Sequence, residues 1–149
     1  MADVRVRPGT LADLEPLSLL FDGYRRFYEH ASDIEGARRF LGARLAADES
    51  VVFVAERDGA LAGFTQLYPS FSSGTMNRVW ILNDLFVAPA QRRAGAGAAL
   101  LAAAERFARD GGAKGLVLAT QKTNATAKAL YERCGWKMDA LFDHYLRFF

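Results

Sequence analysis

The run Trp80-Ile81-Leu82-Asn83-Asp84-Leu85-Phe86-Val87 is strand-like, meets Pro89, and passes through Gln91-Arg92-Arg93-Ala94-Gly95-Ala96-Gly97 into an alanine- and leucine-rich helical stretch. A strand that turns through glycines into a helix N-terminus limits what can surround it. The unpaired N–H groups of the first turn and the positive end of the helix dipole converge there, which suits an anion. Glycine lets backbone approach a ligand closely, because it has no Cβ and tolerates positive φ. Arg92 and Arg93 add fixed positive charge at the same place. A phosphate-bearing ligand is the first expectation.

The bulk properties narrow the class. A chain of 149 residues, 51% hydrophobic and 24% charged, fits one soluble globular domain over 1–149. A net charge of +2 is too small to argue for nucleic acid. Cys134 is the single cysteine, and His30 and His144 lack ligand spacing, so neither an intrachain disulfide nor a metal is expected. The start Met1-Ala2-Asp3-Val4-Arg5 lacks the apolar core of a signal peptide, and no apolar run reaches the length of a membrane span. A cytoplasmic protein without a membrane partner is expected.

Periodicity and turn signals order the elements. Val4-Arg5-Val6 alternates as a first strand that Pro8-Gly9 ends. Thr10 and Asp13 have capping-box spacing, and Leu14, Leu17, Phe21, Tyr24, Phe27 and Tyr28 follow at helical spacing. Pro16 is compatible with that helix if Asp13 is the effective cap and Pro16 lies in the first turn. Ile34 to Ala46 forms a second helix, with Phe40, Leu41 and Leu45 on one face. Val51 to Ala55 and Leu61 to Tyr68 are strands joined by an Asp58-Gly59 hairpin turn. Ser70 to Gly74 reads as a loop and Arg78 to Val87 as the next strand. Gly95 to Asp110 is a helix stopped by Gly111-Gly112, Leu116 to Ala119 a strand, and Asn124 to Cys134 a helix stopped by Gly135. Leu141 to Phe149 is a last strand. This order predicts an α+β fold with a hairpin-linked antiparallel half followed by a half with crossover helices.

Three phosphate-loop readings compete. A Walker A loop requires Gly-Lys-Ser/Thr, whereas Ala98-Ala99 follow Gly97. A dinucleotide fingerprint requires glycine where Leu100 stands and an acidic residue near the end of the next strand, which Leu116 to Ala119 does not supply. The third reading is an acyl-CoA loop. Val87 to Gly97 resembles the Arg/Gln-x-x-Gly-x-Gly/Ala loop of the GNAT superfamily of N-acetyltransferases through Arg92, Gly95 and Gly97. The segment from Asn124 through Leu130-Tyr131-Glu132 to Gly135-Trp136 resembles that family's second motif. A weaker resemblance links Tyr24 to Glu29 and Asn83 to Val87 to a subgroup of small histone-and-other-protein acetyltransferases.

The resemblance implies a mixed, mostly antiparallel sheet of six to seven strands flanked by about four helices, with a splayed strand pair holding acetyl-CoA. It implies that backbone groups of Leu85, Phe86 and Val87 hold the pantetheine arm, and that the same backbone stabilises the oxyanion. Arg92, Arg93, Ala94, Gly95, Ala96, Gly97 and Ala98 would cradle the pyrophosphate. Asn124 would bond the cofactor or cap its helix, or do both. Tyr131 would contact the cofactor and protonate the departing thiolate, since a phenol of pKa about 10 can serve a thiol of pKa about 8.5. Each also has a plainer reading as core strand, helix start or packed tyrosine.

The proton acceptor is less defined. Many family members have a glutamate where Ala119 stands here. Asp84 is the nearest substitute, Glu29 another, and water-mediated deprotonation a third; Asp84 as a structural carboxylate is equally compatible. Tyr28, Glu29, Phe71 and Trp80 are candidates for the acceptor pocket, with Tyr24 beside Tyr28. The expected activity is acetyl transfer from acetyl-CoA to a primary amine of a small molecule or protein by direct attack on the thioester. The alternative is a silent acyl-CoA sensor, which the missing glutamate keeps open. The apolar segment Leu141 to Phe149 points to a homodimer.

Overall fold

A computed structural model describes residues 3–149. The chain divides into two compact units, Met1–Ala119 and Thr120–Phe149. The first unit holds five strands in the order β1-β2-β3-β4-β5: β1 (Arg5–Pro8), β2 (Val51–Arg57), β3 (Ala60–Ser72), β4 (Asn77–Val87) and β5 (Gly115–Val117). The first three pairings are antiparallel and β4–β5 is parallel, so the sheet is mixed. The helices of this unit are α1 (Leu14–Phe27), α2 (Ile34–Ala46) and α3 (Ala96–Asp110). The second unit holds α4 (Ala125–Arg133). Five strands therefore stand among the described residues where six to seven were expected.

Local chemistry accounts for most boundaries. Thr10 and Asp13 form a capping box around a short 3-10 turn that leads into α1. Asp13 also accepts two bonds from Arg7 at 2.7 and 2.9 Å, which ties the start of α1 to β1. Pro16 lies in the first turn of α1, where its missing N–H has no helical partner to lose. Asp58 and Gly59 both have positive φ, as a two-residue hairpin turn demands. The β3–β4 hairpin is longer than its composition suggests: Ser70, Phe71 and Ser72 are strand residues, and the turn begins at Ser73. Pairing with Asn77, Arg78 and Val79 carries these residues, two serines among them, into the ladder.

The sheet of the first unit is covered on both faces. Leu17, Leu20 and Phe21 of α1 and Ala37 and Leu41 of α2 cluster with Val52, Val54, Phe64 and Phe86 on one face. On the other, Phe107 of α3 packs against Phe53 and Trp80, with ring centroids 5.7 and 5.1 Å apart. Leu100, Leu101, Ala104 and Ala108 form the buried stripe of α3.

In the second unit, Leu141 to Phe149 is not a strand. These residues lack ladder pairing, and Leu141, Phe142, Tyr145, Leu146, Phe148 and Phe149 are exposed. High β propensity does not by itself make a strand, because a strand needs a partner edge.

Candidate active site

The strand that enters the glycine loop carries a bulge. Gln66 pairs with Asp84 but Leu67 pairs with Leu82, so Asn83 is an extra residue in β4. The insertion inverts the alternation of side chains along β4. Trp80 lies on the α3 face, as its contact with Phe107 shows, whereas Phe86 lies in the α1–α2 cluster. Asp84, two residues from Phe86 on the same side of the bulge, shares the α1–α2 face.

Asp84 is buried, with 3% of its surface exposed. Gln66 Nε2 donates to its Oδ2 at 2.6 Å and Asn83 Nδ2 to its Oδ1 at 3.0 Å. The Tyr24 hydroxyl hydrogen-bonds the same carboxylate and lies 3.4 Å from the Asn83 carbonyl oxygen. Among the described residues no cation forms an ion pair with Asp84. Burial pushes its carboxyl above the ordinary carboxylate range, and the Gln66, Asn83 and Tyr24 bonds offset only part of that. Tyr68, half-buried on β3, is pushed up to about 12, first by burial and then by the Asp84 charge.

The backbone of β4 is divided between two edges. Ala88 N–H donates to Ala62 O at 2.8 Å, so alternate residues back along the strand, Phe86 and Asp84, also turn their N–H and C=O toward β3. Thr65 Oγ1 accordingly reaches the Asp84 carbonyl at 2.8 Å. Leu85 and Val87 turn theirs to the opposite edge. There β5 pairs only with Val79, Trp80 and Ile81, and among the described residues no strand continues the ladder from Leu82 onward. The Val87 carbonyl is engaged by Arg92 Nε at 3.0 Å.

The loop beyond β4 is built by conformation. Arg92 is extended, with its guanidinium 5.6 and 5.7 Å from the ring centroids of Phe27 and Phe86. Arg93 and Gly95 have φ of 67° and 84°. Gly95 is the N-cap of α3, and no side chain caps that helix. A Cβ built on Gly95 meets no atom within 4 Å. Ala96 is buried, while Ala94, Gly97 and Ala98 are partly or fully exposed.

In the second unit, Asn124 Oδ1 accepts from Ala127 N–H at 3.2 Å and caps α4. The helix ends in a Schellman motif: Gly135, with φ of 91°, donates to Glu132 O at 3.1 Å, and Trp136 donates to Tyr131 O at 2.9 Å. The hydrophobic contact that accompanies such a motif is made by the Trp136 and Tyr131 rings, 6.0 Å apart. The sequence run Tyr131 to Trp136 is therefore a device that fixes the tyrosine at the helix end. Tyr131 and Asn124 are half-buried.

The expected acceptor-pocket residues separate onto two faces. Tyr28 closes α1 and meets the Tyr24 and Phe27 rings edge-on, each at 5.0 Å. Glu29 follows with φ of 66°. Trp80 packs in the core against Phe107, and Phe71 is exposed under the Arg78 guanidinium at 4.2 Å. The bulge is what divides Trp80 from Asp84. Ala119 is exposed, just beyond β5. Gln66 escaped the sequence reading; the available signal was an amide side chain at the centre of a strand, between Phe64-Thr65 and Leu67. Among the described residues no cluster could hold a metal ion, and no helix is long and apolar enough to cross a membrane.

Comparisons with known proteins identify the family and the fold. Residues 17–136 match the Acetyltransferase (GNAT) family. The chain is 49% identical over 142 residues to the uncharacterized N-acetyltransferase YhfO of Bacillus subtilis (strain 168), covering 95% of each chain. It is 32% identical over 110 residues to the aminoglycoside N(6')-acetyltransferase type 1 of Klebsiella aerogenes, covering 72% of this chain and 70% of that one. A crystal structure of a probable acetyltransferase superposes with a TM-score of 0.93 at 41% identity, over 97% of both chains. An aminoglycoside N-acetyltransferase AAC(6')-Iy in complex with CoA shares the fold, with a TM-score of 0.82 at 20% identity over 99% of this chain and 96% of that one. The protein is an N-acetyltransferase, and its chain belongs to the GNAT family.

Proposed function

We propose that this protein transfers the acetyl group of acetyl-CoA to a primary amine of a small molecule, and that both units belong to one acetyltransferase domain over 1–149. One observation carries the reading: the β4 edge, beside which no strand stands among the described residues from Leu82 onward, runs directly into the Gly95-led N-terminus of α3, which no side chain caps. An extended pantetheine arm needs backbone donors and acceptors, and a pyrophosphate needs N–H groups and positive charge. The residues present fit both needs. Leu85 N–H and C=O and Val87 N–H would hold the arm; the Phe86 backbone belongs to the β3 ladder. Arg92, Arg93, Ala94, Gly95, Ala96, Gly97 and Ala98 would hold the pyrophosphate, with Asn124 bonding the cofactor as well as capping α4.

Acetyl-CoA supplies the acetyl group as an activated thioester. The chain manages the protons. An alkylamine near pKa 10.4 is protonated at neutral pH and must lose a proton before it attacks. Asp84 accepts that proton. Its 3% exposure leads us to route the transfer through one water on the Asn83 side. A raised pKa suits this task, because a base poised nearer neutral pH holds a proton better than an ordinary carboxylate. Tyr131 donates its phenolic proton to the departing thiolate. Tyr28 and Glu29 contribute to the acceptor pocket. The acceptor class rests on the amine chemistry of relatives such as the aminoglycoside acetyltransferase. A cytoplasmic homodimer completes the reading, with the exposed aromatic segment Leu141 to Phe149 at the interface. Light scattering at micromolar concentration tests that part, and a monomer mass refutes it.

The experiment for the main reading is a thiol-release assay with acetyl-CoA and a panel of aminoglycosides, polyamines, amino acids and peptides. Turnover on a small-molecule amine is expected. Tight CoA binding without turnover on any amine would instead favour an acyl-CoA sensor.

A further inference from the structure

Resting on the reading of Asp84 as the proton acceptor, we propose that Gln66 is its positioning residue: its side-chain amide serves both protonation states of the carboxyl by presenting Nε2 to the carboxylate and Oε1 to the carboxylic acid. Gln66 is fully buried on β3, directly opposite Asp84 across the ladder. Its Nε2 donates to Asp84 Oδ2 at 2.6 Å, a short bond to a charged acceptor. Its Oε1 is buried and has no hydrogen-bond partner. A buried acceptor without a partner is costly, so such an atom calls for a reason.

The arrangement of donors supplies one. The Asp84 carboxylate accepts from Gln66, from Asn83 and from the Tyr24 hydroxyl. All three serve the ionised form. Once Asp84 has taken the proton of the amine, its new O–H needs an acceptor. A half-turn of the Gln66 amide exchanges Nε2 for Oε1 and provides it, with no backbone movement. The number of unpaired amide atoms is the same before and after the turn, so the exchange is close to balanced. Glutamine does this because its amide carries a donor and an acceptor at the same reach. Glutamate has no donor when ionised, and an apolar residue has neither group.

The groups facing Asp84 are few. Tyr24 comes from α1, Tyr68 from β3, and the Arg44 charge of α2 acts on Tyr68. Tyr68 is neutral in the working range, because its hydroxyl is pushed up to about 12. The acid limb of the reaction is therefore controlled by the Asp84–Gln66 pair.

The test compares wild type, Gln66→Met and Gln66→Glu by the pH dependence of kcat/KM and, independently of turnover, by carbon-13 NMR titration of the Asp84 carboxyl. Gln66→Met takes a charge-assisted bond from the ionised form and only a neutral bond from the acid, so the Asp84 titration should rise by roughly one pH unit, about ten-fold, the excess of a charged over a neutral hydrogen bond. The acid limb should move with it, kcat should fall at pH 7, and the KM for acetyl-CoA should hold. Gln66→Glu places a second carboxyl against the first and should raise the titration as well, which keeps the test alive if Gln66→Met does not fold. An Asp84 titration unmoved in a folded variant overturns the role of Gln66. A shifted NMR titration with an unshifted kinetic limb upholds Gln66 as the partner of Asp84 and refutes Asp84 as the proton acceptor.

Discussion

Replacing Gly95 separates what the loop needs for its own conformation from what it needs for its ligand. Gly95 has φ of 84°, and a Cβ there meets no protein atom within 4 Å. An alanine at this position therefore encounters no steric clash, only the left-handed backbone, which costs an L-residue about 1–2 kcal/mol. For a chain of this size each kcal/mol lowers Tm by roughly 2–4 °C, so Gly95→Ala should lose about 2–8 °C. Asparagine tolerates the left-handed region far better, so Gly95→Asn should recover most of that loss. The two variants should behave alike toward CoA. If pyrophosphate passes over this residue, any side chain obstructs it, and both should raise the CoA Kd at least tenfold, about 1.4 kcal/mol. Differential scanning calorimetry reads the first quantity and isothermal titration with CoA the second. Wild-type CoA affinity in the folded Gly95→Asn protein would refute the placement of pyrophosphate on this loop. Equal Tm loss in Ala and Asn variants would refute the strain argument.

The other predictions test the remaining parts of the site and one structural ion pair. Tyr131→Phe should lower kcat by roughly 10²-fold while leaving the CoA Kd nearly unchanged, because only the acid is removed; single-turnover kinetics decide whether chemistry limits the rate. Asp84→Asn should lower kcat/KM and abolish its acid limb. It should also raise Tm at neutral pH by a few degrees, on the order of 2–4 °C per kcal/mol, because it removes a buried charge. The sign follows from the raised folded-state pKa: the folded protein favours protonated Asp84, so the gain from Asn is absent well below the unfolded pKa and grows as pH rises through the folded one. Arg7→Met should cost about 1–3 kcal/mol at pH 7, since Arg7 donates to both Asp13 and Glu56. Arg7 holds the Asp13 carboxyl below its ordinary value, so that contribution is present above about pH 4 and lost as pH falls through the folded pKa. Urea melts of both proteins at pH 7 and pH 3 should show the difference shrinking with acid.

Much of this protein is written in short stretches of its chain. The Asp58-Gly59 turn, the Thr10–Asp13 box, the span Ile34–Ala46 and the stop at Gly135 depend on residues within a few positions of one another, and all stand in the structure as their residue types demand. The glycine loop and the run from Tyr131 to Trp136 are equally local. Their backbone conformations, left-handed at Gly95 and at Gly135, follow from glycine itself. Pairing between distant strands is another matter. A single extra residue at Asn83 reverses the facing of β4, placing Asp84 with Tyr24 and Gln66 and sending Trp80 to the core beside Phe107. Strict alternation along Trp80 to Val87 would have put Trp80 and Asp84 on one face, because apolar residues on both sides of the Asn83 insertion do not reveal which face each side takes. The same dependence governs the segment from Leu141 to Phe149, whose β propensity finds no ladder among the described residues. It also governs the point at which β5 leaves β4, after Ile81, which opens the edge that Leu85 and Val87 face. Turns and caps are decided by the chain's own neighbours; register and exposed edges are decided by hydrogen bonds to strands far away in sequence, and those bonds exist only once the sheet has formed.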